Sequence, residues 1–169
     1  MNHKHFKLIF RLAFLVWCLL NQAVAGQPPI GQPTALYKVV GIIDGDTIDV
    51  IDGERRQNRV RLSQIDAPES SQDFGKRSRQ ALSAICFGKH ARLIQEGEDR
   101  RYRRLVARVY CDGVDAQSHM VSVGMAWVYD RYVTDKSLYA IQEQAKAAKR
   151  GLWSDARAVP PWTYRRQSK

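Results

Sequence analysis

Residues 36–65, LYKVVGIIDGDTIDVIDGERRQNRVRLSQI, decide the fold. Residues 36–43 are rich in β-branched side chains, and residues 46–51 and 58–65 alternate between apolar and polar side chains. Asp44-Gly45 and Asp52-Gly53 separate the three stretches, and Asp-Gly pairs favour tight hairpin turns. The segment therefore predicts a three-stranded antiparallel meander.

Two more strands and three helices are expected after the meander. Pro68 ends the third strand, and Gly88 and Gly151 mark helix ends. The predicted elements are a helix over 75–87, strands over 90–95 and 102–110 around a charged loop over 96–101, and helices over 116–123 and 136–150. This order predicts the α+β class, as a five-stranded OB-type β-barrel with three α-helices packed on it.

The N-terminal segment has the features of a targeting sequence. Residues 1–25 combine a basic start, an apolar run over 12–20 and a small-x-small site at Ala23-Val24-Ala25. This pattern predicts a cleaved signal peptide, with an uncleaved anchor as the alternative. The remaining segments are an extended lead-in over 26–35, the barrel domain over 36–155 and a loose basic tail over 156–169. We expect an exported monomer, periplasmic or secreted, with no membrane attachment after signal cleavage.

The charge balance favours an anionic partner. The chain has 169 residues with 27 Lys and Arg against 17 Asp and Glu, a net charge of +10, which falls to +7 without the signal peptide. Arginine dominates the remaining basic residues, and its planar fork pairs with phosphate. The composition excludes a disordered, collagen-like or disulfide-dense protein. Nucleic acid is the expected partner, and an anionic cell envelope is the alternative.

Two cysteines remain once Cys18 is removed with the signal peptide. Cys86 and Cys111 would stand in a compartment where disulfides persist, so pairing is expected. The alternative is two buried thiols. Neither cysteine has a histidine nearby in the sequence, which argues against nucleophilic catalysis.

Several classes of catalytic site are poorly supported. Only His90 and His119 follow the signal peptide, and they are far apart in the chain. The sequence contains no glycine-rich phosphate loop, no Cys-x-x-Cys zinc pair and no Gly-x-Ser-x-Gly elbow. Any chemistry must therefore use carboxylates and arginines.

Carboxylates gather at the ends of the predicted strands. Asp44 and Asp46 flank the first turn, and Asp66 and Glu69 follow the third strand. Hard cations such as Ca²⁺ take oxygen ligands, so Asp46 and Asp66 with one peptide oxygen could hold an open, partly hydrated ion. The alternative is that Asp44-Gly45-Asp46 only makes a hairpin turn.

Two strand arginines supply the complementary charge. Arg61 and Arg104 alternate with apolar neighbours and should point away from the core. Two fixed guanidinium groups near a cation and a carboxylate would clamp a phosphodiester. A solvated strand face is the alternative for each arginine.

Several ordered motifs together resemble the staphylococcal nuclease (thermonuclease) family. They are Ile43-Asp44-Gly45-Asp46-Thr47, Val60-Arg61-Leu62, Ile65-Asp66-Ala67-Pro68-Glu69, Tyr102-Arg103-Arg104-Leu105-Val106-Ala107 and Ala147-Ala148-Lys149-Arg150-Gly151-Leu152-Trp153. The resemblance runs over residues 37–155. It implies a calcium-dependent endonuclease on an OB barrel, which cuts single- and double-stranded DNA and RNA to leave 3′-phosphate ends.

The resemblance also implies a role for each matching residue. The roles are calcium ligands for Asp46, Asp66 and the carbonyl of Ala67, an outer acidic position for Asp44, a base or water-orienting carboxylate for Glu69, catalytic guanidinium groups for Arg61 and Arg104, and nucleotide contacts for Arg101, Tyr102 and Tyr132. Arg103 departs from the family, which usually has glycine there. Glycine tolerates a positive φ, which arginine adopts less readily. We therefore expect the loop around Arg103 to have a different backbone conformation.

Two other functions remain open. OB barrels of this family also occur as non-catalytic domains, so the chain could be a nucleic-acid-binding protein of the cell envelope. A basic envelope protein that serves adhesion is a third possibility. The first alternative predicts tight binding without cleavage, and the second predicts salt-sensitive binding without calcium dependence.

Overall fold

The computed structural model describes residues 36–167, so the predicted signal peptide and lead-in lie outside the described residues. The strands of this range are β1 (Leu36–Ile42), β2 (Thr47–Ile51), β3 (Gln57–Leu62), β4 (Ile65–Asp66), β5 (His90–Asp99), β6 (Arg104–Cys111), β7 (Val114–Asp115) and β8 (Trp127–Val128). The helices are α1 (Gly75–Cys86), α2 (Ala116–Ser122), α3 (Ser137–Ala147) and α4 (Pro161–Gln167), with a 3-10 turn at Gly151–Ser154. No helix within this range is long and apolar enough to cross a bilayer.

Five strands close into a barrel, which confirms the predicted α+β class and OB-type architecture. The sheet order is β3-β2-β1-β5-β6-β7, and its neighbouring strands are antiparallel. β3 also pairs in parallel with β6, with Val60 opposite Leu105, and this pairing closes the barrel. Register shifts in β1 and β5 mark bulges, which bend strands and increase their twist.

The core lies inside the barrel and beneath the helices. Inward-facing side chains on the strands alternate with outward-facing ones, and each fully buried large aliphatic side chain contributes about 1.5–3 kcal/mol. The fully buried members include Ile48, Val50, Val60, Leu62 and Val109 of the strands, and Leu82, Met120 and Leu138 of the helices.

A disulfide joins a helix to the barrel. Cys86, the last residue of α1, is bonded to Cys111, the last residue of β6, with 5.1 Å between their Cα atoms. Both cysteines are fully buried. The bond therefore ties the C-terminal end of α1 to the sheet.

Several element boundaries differ from the sequence-based predictions; the third strand, for example, ends at Leu62 rather than at residue 65. The expected loop over 96–101 is partly strand, because β5 continues to Asp99, which pairs with Arg104 across the hairpin. The sequence did not predict this extension because its charged side chains interrupt the alternation of apolar and polar residues that is typical of a strand. α3 ends at Ala147 rather than at residue 150, and Lys149 has a left-handed φ of 50°.

Half of the segment predicted as a loose tail over 156–169 is helical, so that prediction is wrong for residues 161–167. Residues 161–167 form α4, a fourth α-helix in the described range beside the three expected. Pro161 begins this helix, where a missing N–H costs nothing, and its side chain is buried. The segment lacks an apolar stripe, and its order comes from contacts with distant residues.

Candidate active site

The turn between β1 and β2 carries two carboxylates. The backbone N–H of Asp46 donates to Oδ1 of Asp44 at 3.0 Å. Gly45 lies against α1 so closely that a Cβ there would overlap the hydroxyl of Ser78 and come within 2.8 Å of Cβ of Ala67. The absence of a side chain at Gly45 therefore lets the acidic turn pack against α1 and the end of β4.

Asp66 lies beside Asp46 because β4 ends at the same place. β4 pairs with β8, and the side chain of Asp66 is 1% exposed. The next backbone N–H, that of Ala67, donates to Oδ2 of Asp46 at 3.1 Å. This hydrogen bond brings the three residues predicted to hold calcium into one group.

Arg61 joins the two buried carboxylates. Its Nη2 lies 2.8 Å from Oδ1 of Asp66 and 3.3 Å from Oδ2 of Asp46. Its Nη1 donates to the carbonyls of Leu62 at 3.1 Å and Ile65 at 3.0 Å, so the guanidinium group is held from both sides. Burial opposes the charged form, but Asp46 and Asp66 outweigh it and raise the pKa of Arg61.

Glu69 stands on the loop between β4 and α1. Its backbone N–H donates to the side-chain oxygen of Gln72 at 3.2 Å, and the N–H of Gln72 donates back to its carbonyl at 2.9 Å. The carboxylate itself is 37% exposed, in contrast to those of Asp46 and Asp66. A solvent-accessible carboxylate on an ordered loop can accept a proton from water.

The acidic group is rich in negative charge. Burial, followed by the nearby charge of Asp46, raises the pKa of Asp44 to about 7. Burial also raises the pKa of Asp66, although its arginine partners oppose that shift. Buried carboxylates of this kind favour a bound cation, which compensates for lost hydration.

The hairpin between β5 and β6 carries the other predicted phosphate-binding groups. Nη2 of Arg104 lies 2.6 Å from Oδ2 of Asp99, and its guanidinium carbon lies 4.9 Å from the centroid of the Tyr102 ring. The guanidinium carbon of Arg101 lies 5.3 Å from the same ring centroid. Arg103 adopts a left-handed φ of 51°, so the chain keeps the conformation that favours glycine there, and the expectation of a different backbone conformation is wrong on this point.

Two tyrosines, Tyr129 and Tyr132, belong to the same region of the surface. Tyr132, predicted to contact nucleotide, is exposed and meets Tyr129 edge to face, with 5.1 Å between ring centroids. Tyr129 also stacks on Trp162 of α4, with 5.3 Å between centroids and 4° between planes. No signal in the sequence predicted a role for Trp162.

Arg165 is the residue of this site that sequence reasoning missed altogether. Its Nη2 lies 2.7 Å from Oδ2 of Asp66, and its Nη1 lies 2.7 Å from Oε1 of Glu69. Burial lowers the pKa of Arg165, but hydrogen bonds to these carboxylates outweigh it and raise the pKa overall. Only the basic composition of the tail hinted at this role, because no motif or periodicity marks Arg165.

All these groups border one open cleft of about 1370 Å³. The cleft is lined by predicted site residues from every segment: Asp44, Asp46, Arg61, Asp66, Ala67, Glu69, Arg101, Tyr102, Arg104 and Tyr132. The structure therefore brings together the residues for which the sequence predicted catalytic, metal-binding or nucleotide-binding roles.

The donor set suits a hard cation with few protein ligands. Asp46 and Asp66 offer buried carboxylate oxygens, and Ala67 follows Asp66 in the chain and is hydrogen-bonded to Asp46. No cluster of three or more histidine, cysteine or acidic side chains within residues 36–167 is arranged to enclose a metal ion. An ion at this place would keep several water ligands, which is common for hard cations bound by oxygen donors.

Comparison with known proteins identifies relatives along most of the chain. The family model described as "Staphylococcal nuclease homologue" matches residues 59–155. An "Uncharacterized endonuclease" of Escherichia coli O157:H7 is 45% identical over 129 residues, which cover 76% of this chain and 83% of the relative. A "Micrococcal nuclease" of Shigella flexneri is 43% identical over 143 residues, covering 78% of this chain and 81% of the relative. A "Probable staphylococcal-like nuclease CAN1" of Oryza sativa subsp. japonica is 39% identical and covers 68% of this chain, which spans 34% of that protein.

Proposed function

Because this chain belongs to the family of staphylococcal nuclease homologues, we propose that it is a calcium-dependent endonuclease that hydrolyses phosphodiester bonds of DNA and RNA. One observation carries the proposal: two buried carboxylates, a half-buried carboxylate and two arginines border one cleft. Nuclease activity itself is supported by the family and by relatives named endonuclease and micrococcal nuclease.

Calcium fits the acidic group on chemical grounds. Asp46, Asp66 and the carbonyl of Ala67 would hold the ion, with Asp44 in the outer acidic pocket. All the proposed ligands are oxygen atoms, and the two carboxylates lie in a partly desolvated pocket. When bound there, the ion supplies Lewis acidity toward a phosphate oxygen and neutralises negative charge.

The arginines supply positive charge for the phosphate. Arg61 is already oriented by two backbone carbonyls, so its remaining donors are preorganised. Arg104 has a buried Nε without a hydrogen-bond partner within the described residues. An unpaired buried donor costs about 1–3 kcal/mol, and a phosphate oxygen is an acceptor that would satisfy it.

Glu69 is the proton acceptor in this proposal. Its carboxylate is more exposed than those of Asp46 and Asp66, and its loop is ordered by Gln72. Glu69 orients a water molecule and removes a proton from it as the oxygen of that water attacks phosphorus. The 5′-oxygen then leaves, and the product ends in a 3′-phosphate.

The cleft is suited to nucleic acid of either sugar. The cleft is lined by Arg101, Tyr102 and Tyr132, which offer phosphate contacts and aromatic faces that accept any base. We therefore propose single- and double-stranded DNA and RNA as substrates.

Export is part of the same proposal. The signal-like pattern of residues 1–25 and the Cys86–Cys111 disulfide support a periplasmic or secreted enzyme. Mass analysis of the protein recovered from cell fractions tests this, because an intact N-terminus in the cytoplasmic fraction would contradict export.

The direct test is cleavage of end-labelled single-stranded DNA and RNA by the purified protein. Reactions contain Ca²⁺, Mg²⁺ or chelator, and product ends are identified by phosphatase sensitivity and mass. We expect cuts with Ca²⁺ that leave 3′-phosphates and none with chelator. Tight binding without cuts under any metal would contradict the proposal and identify a non-catalytic binding protein.

A further inference from the structure

The C-terminal helix α4 lies beyond residues 59–155, the part of the chain that matches the family model. It nevertheless contributes side chains to the cleft, where Arg165 lies beside the acidic group. The family match therefore gives α4 no role.

Arg165 contacts Asp66, one of the two carboxylates proposed to hold the metal ion. Its Nη2 contacts Oδ2 of Asp66 at 2.7 Å, while Nη2 of Arg61 contacts Oδ1 of that carboxylate at 2.8 Å. Both oxygens of Asp66 are thus engaged by guanidinium groups. A divalent cation on Asp66 would also meet the nearby positive charge of Arg165, and repulsion is strong in a partly buried site.

Contacts that precede Arg165 in the chain hold α4 in place. Trp162 stacks on Tyr129, a residue of the cleft wall. Before the helix, the side chain of Gln72 donates to the carbonyl of Val159. The helix therefore covers an aromatic face of the cleft as well as its acidic group.

We propose that α4 is an internal plug, in which Arg165 takes the place of the cation on Asp66, and also pairs with Glu69, until Ca²⁺ displaces it. This inference rests on the calcium site of the proposed function. Displacement of α4 frees the carboxylate of Glu69 and the face of Tyr129 together. Calcium and nucleic acid therefore strengthen each other's binding, because each favours the displaced state.

Calcium titration of the metal-free protein by calorimetry tests the plug without any assay of activity. Arg165→Ala removes the competing guanidinium, and Trp162→Ala loosens the helix while it leaves every charge in place. Both variants should bind Ca²⁺ about tenfold more tightly than the wild type, as expected when each substitution weakens the competing state, with α4 in place, by about 1.4 kcal/mol.

Arg166→Ala is the matched control. Arg166 lies next to Arg165 on α4, is exposed, and among residues 36–167 donates only to the hydroxyl of Thr163, at 3.2 Å. Its removal changes the net charge as Arg165→Ala does, so calcium affinity should stay within about twofold of the wild type. An equal gain in all three variants would overturn the plug and leave a general charge effect.

Hydrogen exchange over residues 161–167 provides the second measurement. Addition of Ca²⁺ to the wild type should raise exchange in α4, and in Trp162→Ala the helix should exchange rapidly without Ca²⁺. If the wild type and all variants bind Ca²⁺ with equal affinity, and α4 stays protected from exchange after Ca²⁺ is added, the plug is overturned and the calcium site is retained. Absence of calcium binding in every protein, Arg165→Ala included, would overturn both the plug and the calcium site.

Discussion

At the scale of single residues, the site depends on how each arginine is paired. Arg61 is held by two carbonyls and two carboxylates, so it helps to assemble the site as well as to face the cleft. Arg104 has a single carboxylate partner, Asp99, and a buried Nε without a partner among the described residues. Arg104 is therefore the better position at which to separate catalysis from stability.

Arg104→Ala is expected to lower kcat about 10²–10³-fold, because it removes a preorganised charge at the phosphate. The free energy of unfolding should change by less than about 1 kcal/mol, since the lost ion pair is partly exposed. Steady-state cleavage and urea unfolding measure the two effects.

Arg103→Ala is the control for this substitution. Arg103 is the neighbouring residue and carries the same charge, but it does not line the cleft. Cleavage by Arg103→Ala should stay within about threefold of the wild type. If Arg103→Ala lowers the cleavage rate as much as Arg104→Ala does, the hairpin acts through its total charge and not through Arg104 alone.

At the scale of elements, the acidic turn is positioned by α1. Gly45 lets the turn approach Ser78, whose hydroxyl donates to the carbonyl of Met125 at 2.7 Å. One helix thus contacts both the turn and the segment that precedes β8. The spacing of Asp44 and Asp46 relative to Asp66 follows from this packing.

Gly45→Ala is expected to destabilise the protein by about 1–3 kcal/mol, because the added methyl group overpacks the contact with α1. Calcium affinity should fall as the acidic turn shifts. Denaturant unfolding and calcium titration measure both effects.

Gly53→Ala is the matched control for the turn. Gly53 also follows an aspartate in a hairpin turn, but a Cβ at this position meets nothing within 4 Å. Stability should be unchanged or raised by up to about 1 kcal/mol. Equal losses in the two variants would contradict the packing argument.

At the scale of the whole molecule, two long-range links hold the barrel and helices together. The parallel pairing of β3 with β6 closes the barrel, and the disulfide ties α1 to β6. Both links end on β6, which leads from the Arg104 hairpin to the disulfide. The barrel therefore supports the arginine hairpin and the helix beneath the acidic turn as one unit.

Loss of the disulfide should lower the free energy of unfolding by about 3 kcal/mol, because the bond restricts a segment of 25 residues in the unfolded chain. Denaturant unfolding with and without reductant measures this for the wild type. The double variant Cys86→Ala, Cys111→Ala should be as unstable as the reduced wild type and insensitive to reductant. Equal stability of the oxidised and reduced wild type would contradict the prediction.

Much of the fold could be predicted because its signals are local. The alternation of residues 46–51 and 58–65 and the Asp-Gly turns predicted the meander, and the helix over 75–87 is confirmed to within one residue. Short pairings such as β4 with β8 were missed, since two residues carry no periodicity. The extension of β5 to Asp99 was missed because its side chains are charged.

The sequence by itself determined the residue types of the site and their positions at strand ends, since turns and alternation depend on neighbouring residues. Only the tertiary structure decided that Arg61 bridges Asp46 and Asp66, and that Arg165 contacts Asp66 from 99 residues away. Such contacts depend on barrel closure and helix packing, which sum many weak interactions between distant segments. Local sequence patterns do not report such long-range packing. The sequence therefore predicted a tail where α4 contacts the acidic group.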